Sequence, residues 1–444
     1  MVEERRTNQA ARPRARLYNS QFPRGLAIIR SLFVDITPLR ESRQYRLLYS
    51  GQVVSLIGRQ FTVVAAPIQV FALTGSTLAV GLLGLAQFPA LLFGAFFGGM
   101  LSDAWDRRRL LLGAQLLMAV TTAGLALNAA APEPSIVAVF VLTSANAFLS
   151  AIDSPARSAS VPRLVAIDRL PAAYALQVLM FQTAAAVGPA IAGIVVATVG
   201  LTAAFWVDTA TYVIAFVTIA FMRPLPPEGG GTRPGWDSFV EGFRFIKNAP
   251  ALLGVFLIDI NAMVFGMPRA LFPEFGLNVF GGTEATVGLL YAAPGVGAML
   301  AAFTSGWVGK IRRAGIATTI AVVVWGAGVA AFGLSRTVTA AFVFLAIAGA
   351  GDAISAVFRS TILQLTTPDR LRGRVSAVQI AVVAGGPRLG DAEAGLVGQA
   401  FGPRAAAWSG GVLSAVGALL VAWLIPSFRN WTASGVEEEP AANP

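Results

Sequence analysis

Long apolar runs, broken at short intervals by small clusters of charge, set the pattern of this chain. Uncharged stretches of about 20 residues are long enough to carry a helix across a hydrocarbon core. They predict twelve helices, near 45–73, 78–101, 109–130, 136–156, 173–197, 202–222, 251–272, 285–309, 314–334, 338–361, 375–400 and 405–426. The expected class is therefore an all-α polytopic membrane protein with twelve transmembrane helices. With 55% of its 444 residues hydrophobic, 13% charged and a mean hydropathy of +0.68, the chain does not read as a soluble domain.

The charge balance is +10, from 33 Lys and Arg against 23 Asp and Glu. Taken alone it suggests nucleic acid, but the placement of the charges argues against that partner. The cations fall in the N-terminal arm, Arg107 to Arg109, Arg163 and Arg169, Arg223 to Lys247, Lys310 to Arg313, Arg370 and Arg372, and Arg429. These segments alternate along the predicted topology, whereas the opposite loops hold only Arg336 and Arg404. The asymmetry predicts that both termini are cytoplasmic.

The two halves repeat each other. Val80-Gly81-Leu82-Leu83 opens the second predicted helix and Val287-Gly288-Leu289-Leu290 the eighth, and at the same offset Gly99 falls on Gly306 and Asp103 on Lys310. Pro67 answers Pro268, and Gly188-Pro189 answers Gly386-Pro387. The chain thus divides into a basic cytoplasmic arm (1–44), a six-helix half (45–222), a cytoplasmic linker (223–250), a second six-helix half (251–426) and a cytoplasmic tail (427–444). Pro224 to Gly231 cannot continue a helix. Trp236 to Lys247 resumes helical periodicity, with Trp236, Phe239, Val240, Phe243 and Ile246 on one face, and reads as an amphipathic helix lying on the inner interface.

The turn Gly98 to Arg109 carries the most specific pattern. Gly98 and Gly99 allow close approach of helix backbones, Asp103 can meet the positive end of a helix, and Arg107 and Arg108 can pair across a domain boundary. Gly99, Leu101, Asp103, Arg107 and Arg108 resemble the loop motif between helices 2 and 3 of the major facilitator superfamily. Ala104 and Asp106 depart from it, where the family has Arg and Gly. The resemblance implies two pseudo-symmetric six-helix halves and a conformational latch at Gly99, Asp103, Arg107 and Arg108. Gly188, Pro189 and Gly193 in the fifth helix look like the Gly-Pro segment of major facilitator antiporters, with plain packing as the alternative.

Further marks are similar to the bacterial enterobactin exporter branch of that superfamily. They are Ala66-Pro67-Ile68-Gln69-Val70, Pro132-Glu133-Pro134-Ser135, Gly242-Phe243-Arg244-Phe245, Leu290-Tyr291-Ala292-Ala293 and Gly373-Arg374. This resemblance implies a multi-pass protein of the bacterial inner membrane, acting as a monomer and exporting a siderophore or another amphiphilic small molecule or drug in exchange for protons. An importer or symporter of the same fold, or a lipid-type transporter, is the alternative. A non-transporting receptor or scaffold would not require charges at mid-membrane.

Ionisable groups inside a membrane are costly and mark function. The chain has no histidine and no cysteine, so proton coupling would fall to carboxylates, and no cofactor or metal is expected. Counting along the helices puts Arg59 and Asp352 near mid-membrane, where they can pair with each other or Arg59 can draw an anionic substrate. Asp352, Asp259 and Glu393 are the proton-coupling candidates. Arg59, Gln52, Gln69, Asn146 and Asn261 are the candidates for the substrate cavity. Asp153, Arg157 and Arg359 are placed at an inner gate, with Asp153 and Arg157 spaced for an ion pair within one helix. Arg388 and Asp391 are read as neutralising each other, and Asp208 as hydrated near the outer surface. No phosphate-binding loop is present to suggest coupling to ATP.

Overall fold

The computed structural model describes residues 35–226 and 236–432. The basic arm through residue 34, the glycine-rich part of the linker and the tail from 433 lie outside the described residues, as do the side chains of Trp236 to Phe239.

Among the described residues, eleven helical segments are long and apolar enough to cross a membrane. The long helices are α1 (Arg43–Thr74), α2 (Thr77–Ala104), α3 (Arg107–Ala130), α4 (Ile136–Leu164), α5 (Leu170–Val199), α6 (Leu201–Ala220), α7 (Pro250–Phe265), α8 (Glu284–Phe303), α9 (Ala314–Leu334), α10 (Val338–Thr366), α11 (Arg372–Phe401) and α12 (Pro403–Leu424). At 30 residues α11 matches the others in length, but Arg374, Arg388, Asp391 and Glu393 lower its apolar character, and it is the helix outside the eleven.

Local chemistry fixes the ends. Ser42 accepts from the Tyr45 amide at 3.1 Å, Ser76 from Ala79 at 3.2 Å, Asp106 from Arg109 at 3.0 Å, Ser135 from Ala138 at 3.3 Å and Thr337 from Ala340 at 3.2 Å. Each satisfies an amide that a helix N-terminus leaves free. Among the described residues the glycines with positive φ are Gly75, Gly200, Gly281 and Gly402. They form two pairs of matching turns: Gly75 and Gly281 between the first and second helices of each half, Gly200 and Gly402 between the fifth and sixth. Only glycine takes this backbone without strain.

α7 departs from the expected single helix over 251–272. It ends at Phe265 and continues as a 3₁₀ turn (Arg269–Leu271), one α-turn and a π-helical turn (Phe275–Val279). Pro268 and Pro273 withdraw backbone donors here, and the Gly266 backbone abuts the Trp325 indole.

Packing repeats with the same order in both halves. α1 lies on α6, α2 on α4 and α3 on α6, and correspondingly α7 lies on α12, α8 on α10 and α9 on α12. The two largest contacts between the halves are α2 with α11 and α5 with α8. At both, backbones meet directly. A Cβ on Gly193 would stand 2.7 Å from the Glu284 carbonyl oxygen and 2.7 Å from the Gly288 Cα; one on Gly395 would stand 2.5 Å from the Thr77 carbonyl oxygen and 3.2 Å from the Gly81 Cα. The Thr77 hydroxyl donates to the Gly395 carbonyl at 3.0 Å across the second seam. These contacts lie near the starts of α2 and α8 and near the ends of α5 and α11, at the end of the bundle remote from the linker. Toward the linker, the same helices leave Phe93, Phe96, Phe97, Met100, Phe181, Leu300, Phe303, Ile380 and Val383 exposed. The backbone contacts that close the two halves on each other are at the remote end.

The linker helix (Trp236–Asn248) packs on the start of α11, where Glu241 pairs with Arg374 and the Gly242 backbone meets the Arg374 carbonyl. Ile246 is buried and Phe243 exposed. The Pro426–Arg429 turn seats Phe428 against Gly254 and Gly315, and the Trp431 indole donates to Thr366 at 3.1 Å.

Candidate substrate site

Two clefts meet at Arg59. The upper one opens between the halves and is lined by α1 (Arg59, Thr62), α2 (Gln87), α4 (Asn146), the broken end of α7 (Arg269), α8 (Tyr291) and α11 (Arg388, Asp391). Its cavity volume is about 150 Å³. Three arginines face one aspartate there, so its wall is cationic. The guanidiniums are thinly satisfied. Arg388 donates to the Ala384 carbonyl at 3.2 Å and leaves its Nε without a partner, and Arg269 reaches the Met267 sulfur at 3.6 Å. Asp391 leaves one carboxylate oxygen unbonded and makes no ion pair with Arg388 within 4.0 Å among the described residues, which corrects the expected mutual neutralisation.

The lower cleft lies inside the first half, toward the linker end. It is lined by Gln52 and Arg59 of α1, Gln115 of α3, Asp153, Ser154, Arg157 and Ser158 of α4, Gln177 of α5 and Tyr212 of α6. Asp153 and Arg157 form the expected ion pair along α4, and the Gln115 amide donates to Asp153 at 3.0 Å.

In the second half, Arg359 of α10 pairs with Asp259 of α7 and lies 3.4 Å from Asp352 of its own helix. The Arg359 and Asp259 side chains are about nine-tenths buried, whereas that of Asp352 is 51% exposed. Asp352 therefore takes Arg359 as its cation, not Arg59 as the sequence suggested. One guanidinium serves two carboxylates, so the cluster carries one surplus negative charge when both are ionised.

Asp208 also differs from expectation. It is fully buried, not hydrated at the surface, and accepts from the Thr62 and Thr211 hydroxyls. Asn146 donates to Thr121 at 3.0 Å while lining the upper cleft, and Asn261 donates to the Ser414 carbonyl at 2.8 Å, tying α7 to α12. Gln69 is buried in the core with neither amide atom bonded. Glu393 is half-buried on α11, beyond the cleft-lining turn.

The turn between α2 and α3 is not engaged across the halves. Arg107 donates to the Ala159 carbonyl of α4 at 2.8 Å and Arg108 to the Ala220 carbonyl at the end of α6 at 2.6 Å, so both are held within the first half. A Cβ on Gly99 would meet nothing within 4 Å, whereas Gly98 packs on the Ile152 backbone. Asp103 is exposed. If Asp103 acts only when the linker end closes, Asp103→Asn will leave the melting temperature unchanged and slow transport. A lowered melting temperature with normal transport would remove it from the latch.

Gly188 and Gly193 differ in what they touch. The first lies on the Gln60 side chain and the second on backbone of the other half. Sequence reasoning missed Arg269, although an arginine within a predicted span was a visible signal. It also missed Gly81, Gly288 and Gly395 as seam residues, although the repeated Val-Gly-Leu-Leu pointed at two of them.

Two six-helix halves packed in repeat around an inter-half cleft define a major facilitator transporter. Solved structures agree on the fold: nucleoside transporter NupG matches with a TM-score of 0.67 at 13% identity, covering 87% of this chain and 98% of that one. A bacterial homolog of the lysosomal transporter Spinster, in an inward-facing and unoccupied conformation, matches with a TM-score of 0.66 at 16% identity, covering 90% and 100%. Residues 34–440 match the transmembrane secretion effector family, to which the chain belongs. Among similar proteins, the enterobactin exporter EntS of Citrobacter koseri is 28% identical over 401 residues, 90% of this chain and 96% of the relative. That of Escherichia coli is 28% identical over 396 residues, 89% and 95%.

Proposed function

We propose that this protein exports an anionic, amphiphilic small molecule of the siderophore type across the bacterial cytoplasmic membrane in exchange for protons, by alternating access. The observation that carries the reading is the upper cleft, where Arg59, Arg269 and Arg388 surround one carboxylate, Asp391, in a space between the two halves. Poorly satisfied guanidiniums in a low-dielectric cleft favour an anionic ligand. Tyr291 and Val63 of the same wall offer apolar surface to the body of such a ligand.

With the linker and both termini on the cytoplasmic side, the arrangement is the inward-open stage of the cycle. Cargo enters from the linker end while the seams at Gly193 with Gly288 and Gly81 with Gly395 seal the outside. Proton exchange is assigned to the cluster of Asp259, Asp352 and Arg359, with Glu393 as the further carboxylate in α11. The chain works as a monomer, since the cavity is complete within it.

The cavity reading predicts a charge-selective loss. In proteoliposomes, Arg388→Gln and Arg269→Gln will each raise the half-saturating concentration of a carboxylate-bearing cargo about tenfold or more, while its neutral amide changes little. A charge-assisted hydrogen bond of about 1.5–3 kcal/mol sets that scale. Equal effects on the acid and the amide would contradict the reading.

A further inference from the structure

The lower cleft holds polar groups that the fold itself does not explain. Arg157 is 4% exposed and Gln115 1% exposed, and both line it. The Arg157 Nε is committed to Asp153, but Nη1 and Nη2 are without a hydrogen-bond partner among the described residues, and so is the Gln115 Oε1. Buried polar atoms are ordinarily satisfied, and a guanidinium with two free terminal nitrogens costs considerable desolvation. The two nitrogens that remain are the fork that binds a carboxylate, sulfonate or phosphate through two parallel hydrogen bonds. Asp153 holds the other edge of the guanidinium, so the fork is oriented before any ligand arrives. Ser150, Ser154 and Ser158 line the same cleft and supply hydroxyls beside it. Arg59 lines this cleft and the upper one alike.

We propose that the lower cleft is a second anion-docking site, in which Arg157 takes the anionic group of the cargo bidentately on the linker side before Arg59 passes it to the upper cleft. The proposal rests on the reading of the cargo as anionic and adds a stepwise route of guanidiniums, Arg157 to Arg59 to Arg388 and Arg269. Charged neighbours that bear on the site are Asp153 and Arg157 of α4, Arg59 of α1 and Asp208 of α6, which acts on Arg59 and Tyr212. Ser154 and Ser158 on the edge of the cleft are exposed.

The natural chain has no cysteine, so Ser154→Cys places a single thiol in the cleft of the full-length protein. In nanodiscs, with each rate divided by that reagent's rate with a free thiol in solution, the anionic sulfonatoethyl methanethiosulfonate should label this thiol about tenfold faster than its cationic trimethylammonioethyl counterpart, because the unpaired edge of Arg157 draws anions. Dansylglycine should slow the labelling and dansylglycinamide should not. Adding Arg157→Lys keeps a cation beside Asp153 but removes the fork, and the protection by dansylglycine should fall at least fivefold. Adding Ser158→Asp, which leaves the ion pair in place, should abolish the protection as well. Adding Arg388→Gln should preserve it, because that residue belongs to the upper cleft. Protection that survives both Arg157→Lys and Ser158→Asp, or equal protection by the amide, would leave Arg157 as a helix-internal ion pair and overturn the proposal. Such a failure is separable from failure of the export reading, which is decided by the Arg388 and Arg269 transport variants.

Discussion

Gly193→Val is expected to abolish net transport while the protein still inserts and purifies as a single species. At this position the Cβ has no space: it would stand 2.7 Å from both the Glu284 carbonyl oxygen and the Gly288 Cα, which are backbone of the opposite half and cannot rotate away. Overpacking of this kind costs about 1–3 kcal/mol, which is roughly 5- to 150-fold in the population of the remote-closed state. A branched side chain lies at the upper end of that range. Gly188→Ala should be milder, because its neighbour is the Gln60 side chain, which can shift at the cost of a rotamer. Transport assays on both variants, with cross-linking across the remote end as a readout of closure, check the order. A wild-type rate in Gly193→Val would show that the seam is not part of the cycle.

Arg359→Ala should have the largest effect on stability. It leaves Asp259 buried without its cation, and removing one partner of a buried pair costs about 3–5 kcal/mol. Thermal unfolding in detergent should fall steeply, and the double variant Asp259→Asn with Arg359→Gln should recover most of the loss. Asp352 behaves differently, because half of its side chain is exposed and its contact with Arg359 is long, at 3.4 Å. Asp352→Asn should leave unfolding nearly unchanged yet remove proton-driven accumulation while preserving downhill exchange. Stability loss in Asp352→Asn with intact coupling would reverse the roles given to the two carboxylates.

The helices were legible because hydrocarbon thickness imposes a minimum run of apolar residues, and the ends of α9 (Ala314–Leu334) were read to the residue. The break after Phe265 was not legible from composition, since Met267, Leu271 and Phe272 keep the segment apolar while Pro268 and Pro273 end the helix. Partners of buried charges were legible only within one helix. The Asp153 with Arg157 pair follows from spacing, but which carboxylate Arg359 reaches depends on how α7 crosses α10, a tertiary fact. Asp208 was misplaced for the same reason: its distance from the start of α6 suggested a hydrated level, while α1 brings Thr62 over it. The repeated Val-Gly-Leu-Leu marked an internal duplication, and its glycines prove to be seam positions because each half must contribute a helix that approaches the other at backbone distance.

On the proposed cycle an anionic cargo moves out of the cell against a returning proton. Uptake of a carboxylate-bearing fluorescent amphiphile into inverted membrane vesicles, in which an exporter accumulates its substrate, reports on that exchange. Accumulation should require an acid interior, collapse on addition of a protonophore and be lost in Asp352→Asn. Accumulation that persists after the gradient is collapsed, or that appears only in right-side-out vesicles, would contradict the proposed cycle.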